Sequence, residues 1–418
     1  MTGGESFRKR AGGRLFCEGV PLQAVAKRYG TPCWVVSAGA IRSAIRAVHS
    51  AFAEFDPLVC YAMKANFSLG VVRIATAEGC GVEVVSGGEL YRAAVAGVPA
   101  GKTVFSGVGK TDAEIGDALR RGVLMFNVES LPELRAISRI ARRIGIGAPV
   151  ALRVNPHVDA HTHRYITTGT DENKFGIDIT AAESAFREAA RLPGIQLRGV
   201  HTHIGSQITG LGPFIASLKR INLLLDRLER RGIRLPVRNV GGGFGISYRP
   251  SQRGLDVAAL GRAAAPLLRA RRMRLILEPG RYLVGEAGVL LTRVIYVKDG
   301  VRKRFVIVDA GMNDLIRPCL YEAHHEIVPC ASRRGQARKV DVVGPICESS
   351  DFLALSRRLP PVESGDLLAV LGAGAYGSAM SSNYNGRRRG AEVLVDGRRA
   401  RLIRRRESYA DLVRSELL

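Results

Sequence analysis

The sequence predicts a (β/α)8 barrel joined to an all-β module. Three observations carry this expectation. Between residues 35 and 281, eight short β-rich runs alternate with helical runs, which matches such a barrel in count and in its usual length of roughly 250 residues. Seven of the eight runs end in polar, charged or glycine residues that do not suit an apolar strand. After about residue 285 the helical spacing gives way to short strands. An open doubly wound sheet is the architectural alternative.

The β-rich runs, in order, are LVCYAMK, VEVVS, TVFSG, LMFNVE, VALRVN, LRGVHTH, VRNVGGG and RLILEPG. Between them, segments such as SLPELRAISRIARRIG and GPFIASLKRINLLLDRLERRG repeat apolar residues at helical spacing. The unusual end residues are Lys64, Ser86, Asn127, Arg153, His203, Gly241 to Gly243, and Glu278. The C-terminal ends of barrel strands form the catalytic face, and packing alone does not explain seven such ends. Beyond the barrel, GVLLTRVIYV and RKRFVIVDAG read as a hairpin turning at Asp299-Gly300. Further strands are expected at LLAVLG, AEVLVDG and ARLIRR. The barrel is therefore placed at residues 35–281. Residues 1–34 do not fit its rhythm and are expected to pack with residues 282–418 in the β module.

The run LVCYAMKAN delivers Lys64 to the end of an apolar strand. A lysine is costly to bury, and one held there can become a nucleophilic amine for a Schiff base with an aldehyde cofactor. A strand-end lysine that reaches water gives the same pattern. Gly241-Gly242-Gly243-Phe244-Gly245 follows a strand, and such a run lets backbone N–H groups approach a phosphate. His203 could stack on a cofactor ring and Ser206 could donate to phosphate. Glu278, in the Glu278-Pro279-Gly280-Arg281 segment, could pair with a protonated ring nitrogen. Cys347, in Cys347-Glu348-Ser349-Ser350-Asp351, could act as an acid/base group. Taken singly, each also has a plain structural explanation: a turn, a core histidine, a surface ion pair, a buried thiol.

Composition narrows the function classes. Apolar content of 46% and charged content of 24% suit a globular protein. No apolar stretch is long enough to span a membrane, and the basic N-terminal stretch lacks the apolar core of a secretory signal. The net charge of +24 comes mostly from arginine. Those arginines are dispersed without interleaved aromatics, which favours a solvated basic surface over a nucleic-acid site. The seven cysteines have no C-x-x-C spacing and are odd in number. That pattern predicts a reducing cytoplasm, with neither a disulfide framework nor a zinc site.

The segments YAMKAN, VVSGGEL, FSGVGKT, FNVES, HTHIGSQ, NVGGGFGISY, EPGR, VDAGMNDLIRPCLY, VVGPICESSDFLA and GAGAYGSAMSSNYN together resemble the diaminopimelate decarboxylase family. That family belongs to the fold-type III, alanine racemase-like enzymes that use pyridoxal 5'-phosphate. The resemblance runs from GRLFCEGVPL to RRRESYADL, nearly the whole chain. It implies decarboxylation of meso-2,6-diaminopimelate to L-lysine, the last step of lysine biosynthesis. It implies that Lys64 carries the cofactor, His203 stacks on its ring and Glu278 pairs with the ring nitrogen. Ser206, Gly241, Gly242, Gly243, Gly280, Arg281 and Tyr376 are implied around the cofactor and its phosphate. For the substrate, the resemblance implies Arg281, Arg317 and Tyr321 at the distal carboxylate, with Tyr376 nearby and Glu348 at the distal ammonium. Cys347 is implied as the proton donor, supplied across the interface of a homodimer with shared active sites, to which the β module contributes.

One departure stands out: Glu83 occupies a position where the family more often has Asp. A decarboxylase of the same fold acting on ornithine, lysine or arginine is the nearest rival. Those substrates have no distal carboxylate for the IRPCLY segment to bind. A cofactor-free regulatory homologue is a rival from another class, and retention of Lys64, Glu278 and Cys347 argues against it.

Overall fold

The computed structural model describes residues 6–159 and 174–417. The chain divides into two compact units. One comprises residues 44–246 and 254–282, and the other residues 1–43, 247–253 and 283–418.

The first unit is a closed parallel barrel of eight strands: β1 (Leu58–Ala62), β2 (Gly81–Val84), β3 (Thr103–Phe105), β4 (Met125–Val128), β5 (Ala148–Asn155), β6 (Ile195–His201), β7 (Val237–Asn239) and β8 (Arg274–Leu277). Each strand pairs in parallel with the next, and β8 closes onto β1 through Ile276 beside Leu58 and Leu277 beside Val59. This ring excludes the open-sheet alternative, because no strand is left at an edge. Cys60, Val104, Met125, Ala151 and Ile276 fill the barrel as one buried cluster. Pairing between β5 and β6 shifts register between Leu197 and Gly199. A Cβ on Gly199 would lie 2.5 Å from the Val237 carbonyl oxygen, so the neighbouring strand approaches there too closely for a side chain.

The helices between strands follow local rules. Asp112–Arg121 begins with a capping box in which the Thr111 side chain and Glu114 satisfy each other's backbone donors. Leu131–Ile144 is capped by the Ser130 hydroxyl and closed by Gly145 at φ +68°. The strands are shorter than the sequence runs. Lys64 sits in a single tight turn, Met63–Ala65, just after β1, and Glu278 and the glycine run lie just beyond β8 and β7. The chain leaves the sheet at these points, which frees the side chains from the ladder.

The second unit is built on a sheet in which Cys33–Ser37 lies between Gly288–Asp299, antiparallel, and Ala391–Asp396, parallel. The hairpin at Asp299-Gly300 forms: Asp299 pairs with Arg304, and the Gly300 N–H donates to the Lys303 carbonyl at 2.8 Å. The turn therefore spans residues 300–303, and Asp299 closes the strand. Among the described residues no helix is long and apolar enough to cross a membrane.

Candidate active site

Glu278 is the hub of the barrel's catalytic end. Its carboxylate is buried. Asn127 of β4 and Asn239 of β7 donate to Oε1 at 2.8 and 2.6 Å, and His201 of β6 approaches Oε2 at 3.1 Å. Asn127 also donates to the Ser106 hydroxyl at 2.9 Å. Burial pushes the Glu278 carboxyl up, but the hydrogen bonds from His201 and Asn239 and the positive charge of Lys64 outweigh it. The net shift is downward, so Glu278 is an anion at neutral pH. Asn127 was already visible as an odd strand end. His201 and Asn239 were not singled out from sequence, and the only signal was a second histidine in the HTH segment.

The glycine run forms a cradle. Gly241 and Gly243 have φ of +68° and +90°. A Cβ on Gly241, Gly242 or Gly243 would collide with the carbonyl oxygens of Thr202, Glu278 and Gly205 respectively. Side chains are excluded at all three positions. The Gly242 N–H donates to His203 Nδ1 at 3.2 Å. Burial, reinforced by the charges of Arg153 and Lys64, holds His203 well below the usual imidazole range. Its ring is therefore neutral, with the proton on Nε2. Arg281 donates to the Ser206 hydroxyl at 3.0 Å. Gly280 packs against the turn that carries Lys64, where a Cβ would meet those of Ala62 and Ala65 at 3.0 and 3.1 Å.

Lys64 Nζ binds both oxygens of Glu83, on β2. The departure noted at Glu83 thus falls on the direct partner of Lys64. Glu89 stands nearby and accepts from the Val85 N–H at 2.9 Å. Arg153, of β5, pairs with Glu129 at 2.7 Å and reaches the His203 carbonyl at 3.5 Å.

The remaining predicted residues lie in the second unit. Arg317 opens a short helix, Arg317–Tyr321, and is buried. Its Nε donates to His325 Nε2 at 3.3 Å, and His325 Nδ1 donates to the Leu371 carbonyl at 3.0 Å. The histidine's tautomer is thereby set and the guanidinium braced. The rings of Tyr248 and Tyr321 lie 5.2 and 5.9 Å from the guanidinium carbon. Neither His325 nor Tyr248 was anticipated. Cys347 is exposed, and its N–H donates to Asn385 Oδ1 at 2.8 Å. Glu348 accepts from Ser350 at 2.5 Å, and hydrogen bonds from Ser350 and Tyr384 hold its carboxyl below the usual range. Tyr376 adopts φ +55°, a conformation that costs a non-glycine residue energy and clusters at functional sites.

Residues 38–285 match the family model of the pyridoxal-dependent decarboxylase, pyridoxal binding domain. The chain is 50% identical to a diaminopimelate decarboxylase of Neisseria meningitidis, covering 96% of this chain and 99% of the relative. It is 51% identical to one of Pseudomonas fluorescens, covering 99% of each. The chain belongs to the diaminopimelate decarboxylase family. The crystal structure of the M. jannaschii member in co-complex with L-lysine superposes with a TM-score of 0.95 at 38% identity, covering 100% of this chain and 99% of that one. A lysine/ornithine decarboxylase of Vibrio vulnificus, at 23% identity and a TM-score of 0.79, shares the fold.

The residues present fit pyridoxal phosphate, the cofactor of this family. The glycine cradle excludes side chains where a phosphate must approach backbone, and Glu278 is held in the ionised form that a protonated pyridine nitrogen requires.

Proposed function

We propose how this chain's residues divide the work of its reaction, the decarboxylation of meso-2,6-diaminopimelate to L-lysine and CO2. The observation that carries the substrate is identity of about 50% with diaminopimelate decarboxylases along almost the entire chain. Bound pyridoxal phosphate supplies the electron sink that accepts the electron pair left at Cα when CO2 departs.

Lys64 attaches the cofactor and Glu83 orients its amine. Glu278 keeps the ring nitrogen protonated by charge pairing. His203 lays a neutral ring on the cofactor face, so it adds no second cation beside the ring nitrogen. Gly241, Gly242, Gly243, Gly280, Ser206, Arg281 and Tyr376 hold the cofactor and its phosphate, and the Arg281–Ser206 bond supports that placement for Arg281. Arg281, Arg317, Tyr321 and Tyr376 take the roles toward the substrate's distal carboxylate. Glu348 takes the distal ammonium, to which its ionised form is suited.

Cys347 returns a proton to Cα after CO2 leaves. It acts across the interface of a homodimer, so each active site draws on both subunits. Exposure of Cys347 supports a role toward a partner. The protein works in the cytoplasm, a reading supported by its seven free thiols. Substrate choice is tested by CO2 release from diaminopimelate, lysine, ornithine and arginine. Turnover of diaminopimelate far above the others is expected, and faster turnover of lysine or ornithine would overturn the assignment.

A further inference from the structure

The carboxylate of Glu278 is gripped by more than its charge partners. Asn127 and Asn239 both donate to Oε1, which fills its two lone-pair sites, and Oε2 faces His201 Nε2. The amide orientations are forced, because only an NH2 group can face an anion. The Asn239 oxygen independently accepts from the Gly241 N–H at 2.9 Å. An ionised carboxylate cannot donate, so His201 Nε2 must carry hydrogen. His201 Nδ1 is buried and has no hydrogen-bond partner among the described residues. A charged imidazolium would leave a cationic donor unsatisfied there, so the geometry selects the neutral Nε2–H tautomer.

We propose that His201 is a positioning residue that, with Asn127 and Asn239, locks Glu278 as an anion with one open acceptor site on Oε2, so that the proton it shares with the cofactor's ring nitrogen stays on that nitrogen. The proposal rests on reading Glu278 as the ring partner. The other ionisable groups around Glu278 reinforce this state. Lys64 contributes positive charge. Cys60 of β1 is a thiol that burial pushes far above its usual range, and it stays uncharged. His203 stays neutral.

The test compares His201→Gln, which keeps an N–H donor, with His201→Leu, which removes it. Holoenzyme is loaded with pyridoxal phosphate labelled with 15N at the ring nitrogen. Wild type and His201→Gln should show a protonated ring nitrogen. In His201→Leu the proton balance should move toward Glu278 by roughly 10- to 100-fold, the equivalent of one charge-assisted hydrogen bond, and be read as a displaced 15N signal. A folded His201→Leu enzyme with the wild-type signal overturns the proposal. A second measurement does not depend on that variant folding. In 15N-histidine-labelled apo-protein, the signal absent from His201→Gln should report an Nε2–H tautomer, and an Nδ1–H tautomer overturns the proposal. Glu278→Gln separates the two levels: an unchanged ring 15N signal there overturns the underlying reading of Glu278 as the ring partner.

Discussion

Lys64 Nζ lies 2.8 and 2.6 Å from the two carboxylate oxygens of Glu83, across the gap between β1 and β2. Glu83 is buried, so the lysine is the charge that makes its ionised form tolerable in the barrel. The two-oxygen grip also aims the amine. Glu83→Ala should slow cofactor capture by apo-protein roughly 10- to 150-fold, the value of one charge-assisted bond. Glu83→Asp keeps the charge one methylene further back and should lose less. Stopped-flow absorbance with pyridoxal phosphate reads the rates, and equal rates in all three proteins would remove Glu83 from this step.

Glu89 makes stability depend on pH. Burial raises its carboxyl from 4.5 to about 7, with the Glu83 charge adding to the rise and the Val85 N–H opposing it. The folded state therefore binds this proton more tightly than the unfolded chain. Stability from this group is complete below about 4.5 and is lost as pH rises toward about 7. The difference, 7 − 4.5, is about 2.5 units, or on the order of 3 kcal/mol. Glu89→Gln keeps an acceptor for the Val85 N–H without the charge. It should match wild type at pH 4 and be more stable by up to about 3 kcal/mol at pH 8, measured by urea unfolding. An equal gain at both pH values would show that ionisation is not the cause.

Arg317 separates the substrate readings. The distal carboxylate is present before and after CO2 leaves the other end, so its contact is mostly uniform binding. Arg317→Ala should raise KM first, with kcat/KM for diaminopimelate falling about 10- to 150-fold. Arg317→Lys should restore little, because lysine lacks the forked geometry. Any side activity on lysine should fall much less. Equal losses on both substrates would mean that Arg317 does not read the distal carboxylate.

Cys347→Ala should keep cofactor binding and lose turnover by roughly 10²- to 10⁴-fold, as for a missing general acid. Lys64→Ala should lose the visible absorbance of the attached cofactor along with its turnover. Mixing the two inactive proteins should restore part of the activity through subunit exchange. If exchange is demonstrated and no activity returns, both residues serve one subunit's site.

Much of the architecture was legible in the linear chain because it is local. Short β-rich runs between helical segments spell a barrel, and the eight runs became its eight strands. Lys64 and Glu278 stood out because a charged residue beside an apolar strand is costly wherever the strand goes. Their partners were not legible. Two histidines two residues apart look alike in HTH, yet His201 binds Glu278, 77 positions away in sequence, while His203 takes the Gly242 N–H. Asn127 and Asn239 meet on one oxygen only because β4 and β7 are parts of one closed ring. Glu83 finds Lys64, and His325 braces Arg317, in the same way. Strand pattern and motif are properties of short segments, so the sequence by itself determined the barrel and, through its family resemblance, the reaction class. Which polar group satisfies which depends on how distant segments are brought together and on the low dielectric that makes each pairing obligatory, and only the tertiary structure decided that.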